Sequence, residues 1–274
     1  MRIIWRNLVD SATLTASPAM VETLPVGNLQ TDAREEVART TSLATQTIDV
    51  MLDQDELMQG CVLYRGNFTS GATWRVQVFE DDTMAVQLYD SGTLPLNPPK
   101  PLGDIDWGIE RLGITIYDGW GYTVTEHWFA PVVGQFARIT LDDASNPDGF
   151  MQASRLFLGS YMEPSYMPMS GMTLGPKETT KQERSEAGTL HVEAGAQYRA
   201  LTVAGRYLPE KTRAGVGDMQ REAGMRRDVY VSVFADENTA RARDYRMQAR
   251  LVQLDTSAMG ATMLVDQQLR FEET

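Results

Sequence analysis

Along the first 160 residues, apolar and polar positions alternate in short runs. In "ATWRVQVFE", Trp74, Val76 and Val78 share one face, and Arg75, Gln77 and Phe79 share the other. "TTSLATQTIDVML" repeats the pattern with Leu43, Ile48, Val50 and Leu52. "RIIWRNLV", "CVLYRGNF", "MAVQLYD", "QFARITLDD" and "FMQASRLFLG" complete the set. Period-two runs separated by Gly, Asn, Asp and Pro turns predict an antiparallel sandwich. "SNPDG" combines two strong turn formers, so the runs on either side of it are expected to form a hairpin or near-hairpin closing a domain. Helical signals are few. "TDAREEVART" and "DQDELMQ" each predict a single turn, and the proline-rich loop "DSGTLPLNPPKPLGD" cannot be a central strand.

A domain closing near residue 160 leaves more than a hundred residues of this 274-residue chain for a second unit. The expected division is a sandwich over residues 1–162, a linker over 163–176 and a small α+β unit over 177–274. The linker is read from "YMEPSYMPMSGMTLGPKETT", rich in Pro and Met; methionines fill irregular contact surfaces. Tyr166, Met167, Met169 and Met172 are therefore candidates for contact with a neighbour or another copy. In the second unit, "SEAGTLHVEAG", "QYRALTVAGRYL", "DVYVSVFAD", "DYRMQARLVQLDTS" and "TMLVDQQLRFEE" predict strands. "PEKTRAGVGDMQREAGM", with Pro209 at its start, predicts one helix despite its glycines. The fold class is thus mainly β: a sandwich followed by a small barrel or sheet carrying one helix.

Charge separates the two parts. Residues 1–162 hold -11 of the formal charge of -12, and all five tryptophans precede residue 130. An acidic surface repels phosphate backbones, so nucleic acid is not expected as a specific ligand; the basic cluster "TARARDYRMQAR" is nearly balanced by nearby acids. Cys61 is alone, which rules out an intrachain disulfide, and in "GCVLYRG" it reads as a buried strand residue. The N-terminus is too short and polar for a signal peptide. No run approaches the roughly 18 apolar residues of a membrane span, so no membrane insertion is expected. The chain is expected to be made in the cytoplasm. With two histidines, His127 and His191, and no "GxSxG" or "HExxH", no catalytic residues are expected.

The segments "PVGNLQTDAREEVART" and "FARITLDDASNPDGFMQASRLFLGSYMEPSY" resemble the discoidin-like, galactose-binding-like jelly roll as it occurs in phage tail proteins. The second unit, with its paired strands, helix and "VYVSVFAD", resembles the β-barrel-plus-helix domains of tail-tube and distal-tail proteins. The resemblance implies a structural component of a phage tail tip or baseplate, located in the virion. It implies a homo-oligomer with three- or six-fold cyclic symmetry around the tail axis, with tube, hub or fibre proteins as neighbours, and an outward jelly roll that braces them or touches host glycans. The alternative is a carbohydrate-binding module acting on its own. No cofactor is expected, although a structural calcium ion in the jelly roll is a possibility for such sandwiches.

Two groups of residues carry candidate chemistry. "DIDWGIERLGITIYDGWGYTVTEHWF" is the most aromatic stretch, and aromatic faces stack on sugar rings while carboxylates hold hydroxyls. Trp107, Asp118, Trp120, Tyr122 and Trp128 are the candidate glycan contacts; the opposing reading makes these aromatics core or interface filling. The acidic sets Asp53, Asp55, Glu56; Glu80, Asp81, Asp82; and Asp142, Asp143 are candidate calcium ligands or solvated turns, and none has the spacing of a calcium loop.

Overall fold

The computed structural model describes residues 1–164, 172–208, 210–253, 258–259 and 265–274. Its strands are β1 (Arg2–Ile4), β2 (Thr13–Ser17), β3 (Ala38–Arg39), β4 (Gln46–Gly66), β5 (Thr73–Phe79), β6 (Gln87–Asp90), β7 (Leu94–Pro95), β8 (Thr123–Asp142), β9 (Gln152–Ala153) and β10 (Arg155–Gly159). They continue as β11 (Met172–Glu178), β12 (Lys181–Arg184), β13 (Leu190–Glu193), β14 (Gln197–Leu208), β15 (Val229–Ser232), β16 (Arg246–Leu251), β17 (Ala258–Met259) and β18 (Val265–Glu273). The helices are α1 (Glu210–Glu222) and α2 (Ala240–Asp244). Two compact units emerge. One is Met1–Met162 with Tyr230–Arg246, and the other is Glu163–Val229 with Met247–Thr274. The sequence pattern assigned 230–246 to the second unit; pairing of β15 with β1, Ile3 opposite Val231, groups it with the first.

The first unit is mainly antiparallel β, and its large sheet runs β10-β4-β8-β5-β6, with β2 also on β4 and β7 on β5. β4 is a single 21-residue strand, so "DQDELMQ" is not a helical turn. Its extra residues are absorbed where the register with β8 shifts, between Met51 and Glu56 and between Met58 and Gly60. The expected hairpin around "SNPDG" is also corrected. β10 pairs with β4 rather than with β8, Phe157 opposite Val62, so the turn carries the chain from one side of β4 to the other. The single turn expected in "TDAREEVART" lies earlier, as a 3-10 helix over Val26–Gln30.

Alternation holds along the first half of β4 and along β5. Ile48, Val50, Trp74, Val76 and Val78 join Ile139, Leu156 and Leu158 in a core covered by the β3–β9 pair and the two 3-10 helices Leu8–Ser11 and Val26–Gln30. Cys61 lies in this core, and burial pushes its thiol well above the usual range, which leaves it inert. In the second half of β4 both faces are covered. Val62 and Tyr64 point away from the main core into a second one, with Ile4, Ile116, Tyr117, Val124, Phe157 and Tyr230. Gly60 is needed there, because a Cβ would stand 2.6 Å from the Trp128 ring.

This second core contains a charge pair. Glu126 on β8 meets Arg246 at 2.9 Å, with side chains 3% and 8% exposed. The carboxylate also accepts from the hydroxyls of Tyr230 (2.8 Å) and Ser232 (3.1 Å). Burial pushes the Glu126 carboxyl upward, and Arg246 and the two hydroxyls oppose that shift. A buried pair is costly to desolvate, but breaking it by removing one partner costs more.

In the second unit β14 pairs with β11 and β18, and β18 with β16 and β17; among the described residues the sheet does not close into a barrel. Leu201 faces Phe271 and Val203 faces Leu269, all four buried. α1 buries Thr212, Val216 and Met219 at helical spacing and ends where Gly224 takes a φ of 55°. Met172–Pro176, read from sequence as linker, lies in β11. β12 and β13 form a separate two-stranded sheet.

Replacing Glu126 with Gln leaves Arg246 buried without its counter-charge. We expect a loss of about 3 kcal/mol in unfolding free energy, measured by urea denaturation, with part of it recovered in the Glu126→Gln, Arg246→Met double variant.

Candidate functional site

Where β4 ends and β8 begins, Gly66 lies opposite Thr123, and the adjoining loops enclose a cleft of about 380 Å³. Its walls come from residues 66–70, Asn97, Asp148 and several positions between Arg111 and Thr123 that leave out Trp120.

The walls are fixed from beneath. Asp143, buried at the end of β8, accepts from Thr69 N (2.9 Å), Thr69 Oγ1 (2.6 Å) and Asn146 Nδ2 (3.0 Å). Asn67 donates to Asp148 Oδ2 (2.8 Å) and to the Phe150 carbonyl (3.0 Å), and its Oδ1 accepts from Gln152 N (2.9 Å). "SNPDG" is therefore a turn clamped against the loop after β4. Asp143 serves that clamp, and Asp142 accepts from Thr45 Oγ1. Among the described residues no group of three or more His, Cys, Asp or Glu is placed to hold a metal ion. Arg6 and Gln54 both donate to Glu56.

A loop forms the adjoining wall. Pro99 bridges to Thr115, Lys100 N donates to the Ile114 carbonyl (2.8 Å), and Lys100 Nζ pairs with Glu110 at 2.6 Å. Glu110 also accepts from Asp106 N (3.1 Å), and the Lys100 ammonium holds its carboxyl below the usual range. Gly113, Gly119 and Gly121 have φ values of 81°, 75° and 89°, which other residues rarely adopt. Open space surrounds each, so they shape the rim without filling it.

Of the five glycan candidates, Asp118 and Tyr122 line this cleft and the other three do not. Trp120 packs edge-on to Tyr122 and lies under the Arg243 guanidinium, 4.3 Å from the ring. Trp128 packs edge-on to Tyr161 beside the second core. Trp120, Tyr122 and Trp128 are all partly buried against the second core. Trp107 is 71% exposed, in a loop with the exposed Leu102, Ile109 and Leu112. Tyr166, Met167 and Met169 lie outside the described residues, and Met172 opens β11 opposite Val203.

Among the cleft residues not foreseen from sequence are Asn67, Asn97, Arg111 and Asp148. Arg111 stands 3.6 Å from Asp118. Asn97 is 4% exposed; its Nδ2 donates to the Phe68 carbonyl (3.0 Å), while its Oδ1 has no hydrogen-bond partner. In the sequence each is an ordinary loop or turn residue. The positive-φ glycines around "YDGWGY" are the one signal that marks this stretch as a shaped loop.

No family model matches the chain, and no curated protein matches it. Solved structures resemble it at low identity. A Ruminococcus gnavus GH29 fucosidase in complex with fucose is 11% identical with a TM-score of 0.41, covering 58% of this chain and 27% of that one. Chitosan-binding module 1 of a chitosanase/glucanase from Paenibacillus sp. IK-5 is 12% identical (TM-score 0.40, 57% of this chain, 99% of the module). The family 32 carbohydrate-binding module of Clostridium perfringens NanJ in complex with galactose is 11% identical (TM-score 0.38, 58% and 99%). The match thus spans about a quarter of the fucosidase chain.

The tryptophans should separate by burial. Trp107→Ala is expected to change stability by less than about 0.5 kcal/mol, and Trp128→Ala to cost about 3 kcal/mol, both by urea denaturation.

Proposed function

We propose that this chain is a carbohydrate-binding protein and that the cleft beside Tyr122 is its binding site. One observation carries the reading: an aromatic side chain and rigidly held polar groups share a single preformed concavity on a jelly-roll frame. Sugars present C–H faces and fixed hydroxyls, and an apolar wall with a few placed hydrogen-bonding groups suits both. Asn97 Oδ1 adds a buried acceptor with unmet capacity, which costs about 1–3 kcal/mol unless a donor reaches it. Binding rather than catalysis is the activity proposed, since the buried carboxylate at the site, Asp143, is spent on holding the loops.

A second reading, from the sequence resemblance, makes the chain a structural component of a phage tail tip that oligomerises around the tail axis. What supports it is the β12–β13 hairpin of the second unit. Both strands are exposed along their whole length, and the register puts Gln182, Arg184, Leu190 and Val192 on one face. A lone two-stranded hairpin is marginal in water, and contact with another copy would cover that face.

Titration with galactose, fucose and glucosamine oligosaccharides, followed by NMR, is expected to shift resonances of residues 66–70 and 111–123. Tyr122→Ala should weaken the response about tenfold or more; shifts confined to other regions would discard the cleft. For the second reading, light scattering should give a trimer or hexamer, and Leu190→Glu with Val192→Glu should give a monomer. A wild-type monomer at every concentration tested would count against it.

A further inference from the structure

On the reading that the cleft binds carbohydrate, we infer that it selects sugars bearing protonated amino groups over sugars bearing carboxylates or phosphates. The inference comes from where the protons on its walls are committed. Thr69 Oγ1 gives its proton to Asp143 at 2.6 Å, Thr123 Oγ1 to the Gly66 carbonyl at 3.1 Å and Tyr117 Oη to the Val124 carbonyl at 2.8 Å. A hydroxyl has a single proton to give, so these three point theirs into the protein. Asn67 Nδ2 has two protons, and they go to Asp148 and to the Phe150 carbonyl. The donors left on the wall are the Arg111 guanidinium, the Ser70 and Thr115 hydroxyls and one Asn97 amide proton.

Acceptors remain. Asp118 and Asp148 are exposed carboxylates on the walls, and Asn97 Oδ1 has no partner. The cation on the wall, Arg111, stands 3.6 Å from Asp118, which offsets its charge. The ionised wall groups therefore sum to a negative site, within a segment of the chain that already holds most of the protein's net negative charge. A carboxylated or phosphorylated sugar would bring acceptors to acceptors and a like charge to the carboxylates. A sugar ammonium brings three donors and the opposite charge, and ion pairs at such an exposed site weaken with salt.

The test is calorimetric titration of the intact protein at mildly acidic pH. The probes are a β-1,4-linked glucosamine tetramer, its fully N-acetylated counterpart and tetragalacturonate. We expect the glucosamine tetramer to bind at least about tenfold tighter than tetragalacturonate and to weaken as salt is raised. Asp118→Asn and Asp148→Asn should each reduce its affinity about threefold and weaken the N-acetylated tetramer less; thermal melting checks that both variants fold. Equal or tighter binding of tetragalacturonate overturns the inference and leaves the cleft as a sugar site. Glucosamine binding indifferent to both variants also overturns it. If none of the three binds while galactose or fucose shifts the cleft resonances, only the choice of sugar class is wrong. If no sugar binds at all, the carbohydrate reading fails and this inference with it.

Discussion

The pairing of β4 with β8 is the constraint on which the first unit rests. The two strands run together for most of their length, and β4 carries β2 and β10 on its other side. A strand at the centre of a sheet has its backbone satisfied on both edges, so what remains is to cover its faces. Along the first half one face suffices, and the other stays open to solvent. Along the second half, Cys61 and Leu63 point into the main core while Val62 and Tyr64 point the other way. That second apolar face requires its own cover, and the chain supplies it from distant parts of the sequence: Ile4, the stretch Ile116–Val124 and Tyr230.

This need accounts for much of the aromatic stretch before residue 130. Tyr117 and Trp128 are drawn into covering β4, and Trp120 is pinned by Arg243, whose guanidinium also donates to the Ile116 carbonyl at 2.7 Å. The Glu126–Arg246 pair lies in the same region, with hydroxyls from β15 completing its shell. The cleft is a by-product of the same geometry. Where the β4–β8 ladder ends at Gly66 and Thr123, the loops must turn away, and their backbone and side-chain groups are satisfied by one another. Thr69, Thr123 and Asn67 spend their protons in these hydrogen bonds within the rim.

Much of the strand content was legible because period two is a local property. "ATWRVQVFE" and "QYRALTVAGRYL" are read correctly as strands from the side chains they alternate, and Cys61 was placed in the core by its apolar neighbours. The helix Glu210–Glu222 was legible from Pro209 at its start. The continuity of β4 was not: "DQDELMQ" carries several charges, and its strand state comes from pairing with β8 through register shifts rather than from its own preference. Nor was the partner of β10, since a strong turn says that the chain reverses but not which strand it then meets.

The sequence by itself determined a mainly β protein, an acidic first part, and an aromatic stretch with two opposed readings. Tertiary structure placed these residues one by one. Trp120 and Trp128 pack on neighbouring aromatic rings, while Asp118 and Tyr122 line a cleft with Asn67, Asn97, Arg111 and Asp148, which the fold gathers from several loops. The physical reason is that alternation reports only whether a side chain faces a core, whereas a cleft depends on long-range pairing that brings loops together, and on which protons that pairing has already used.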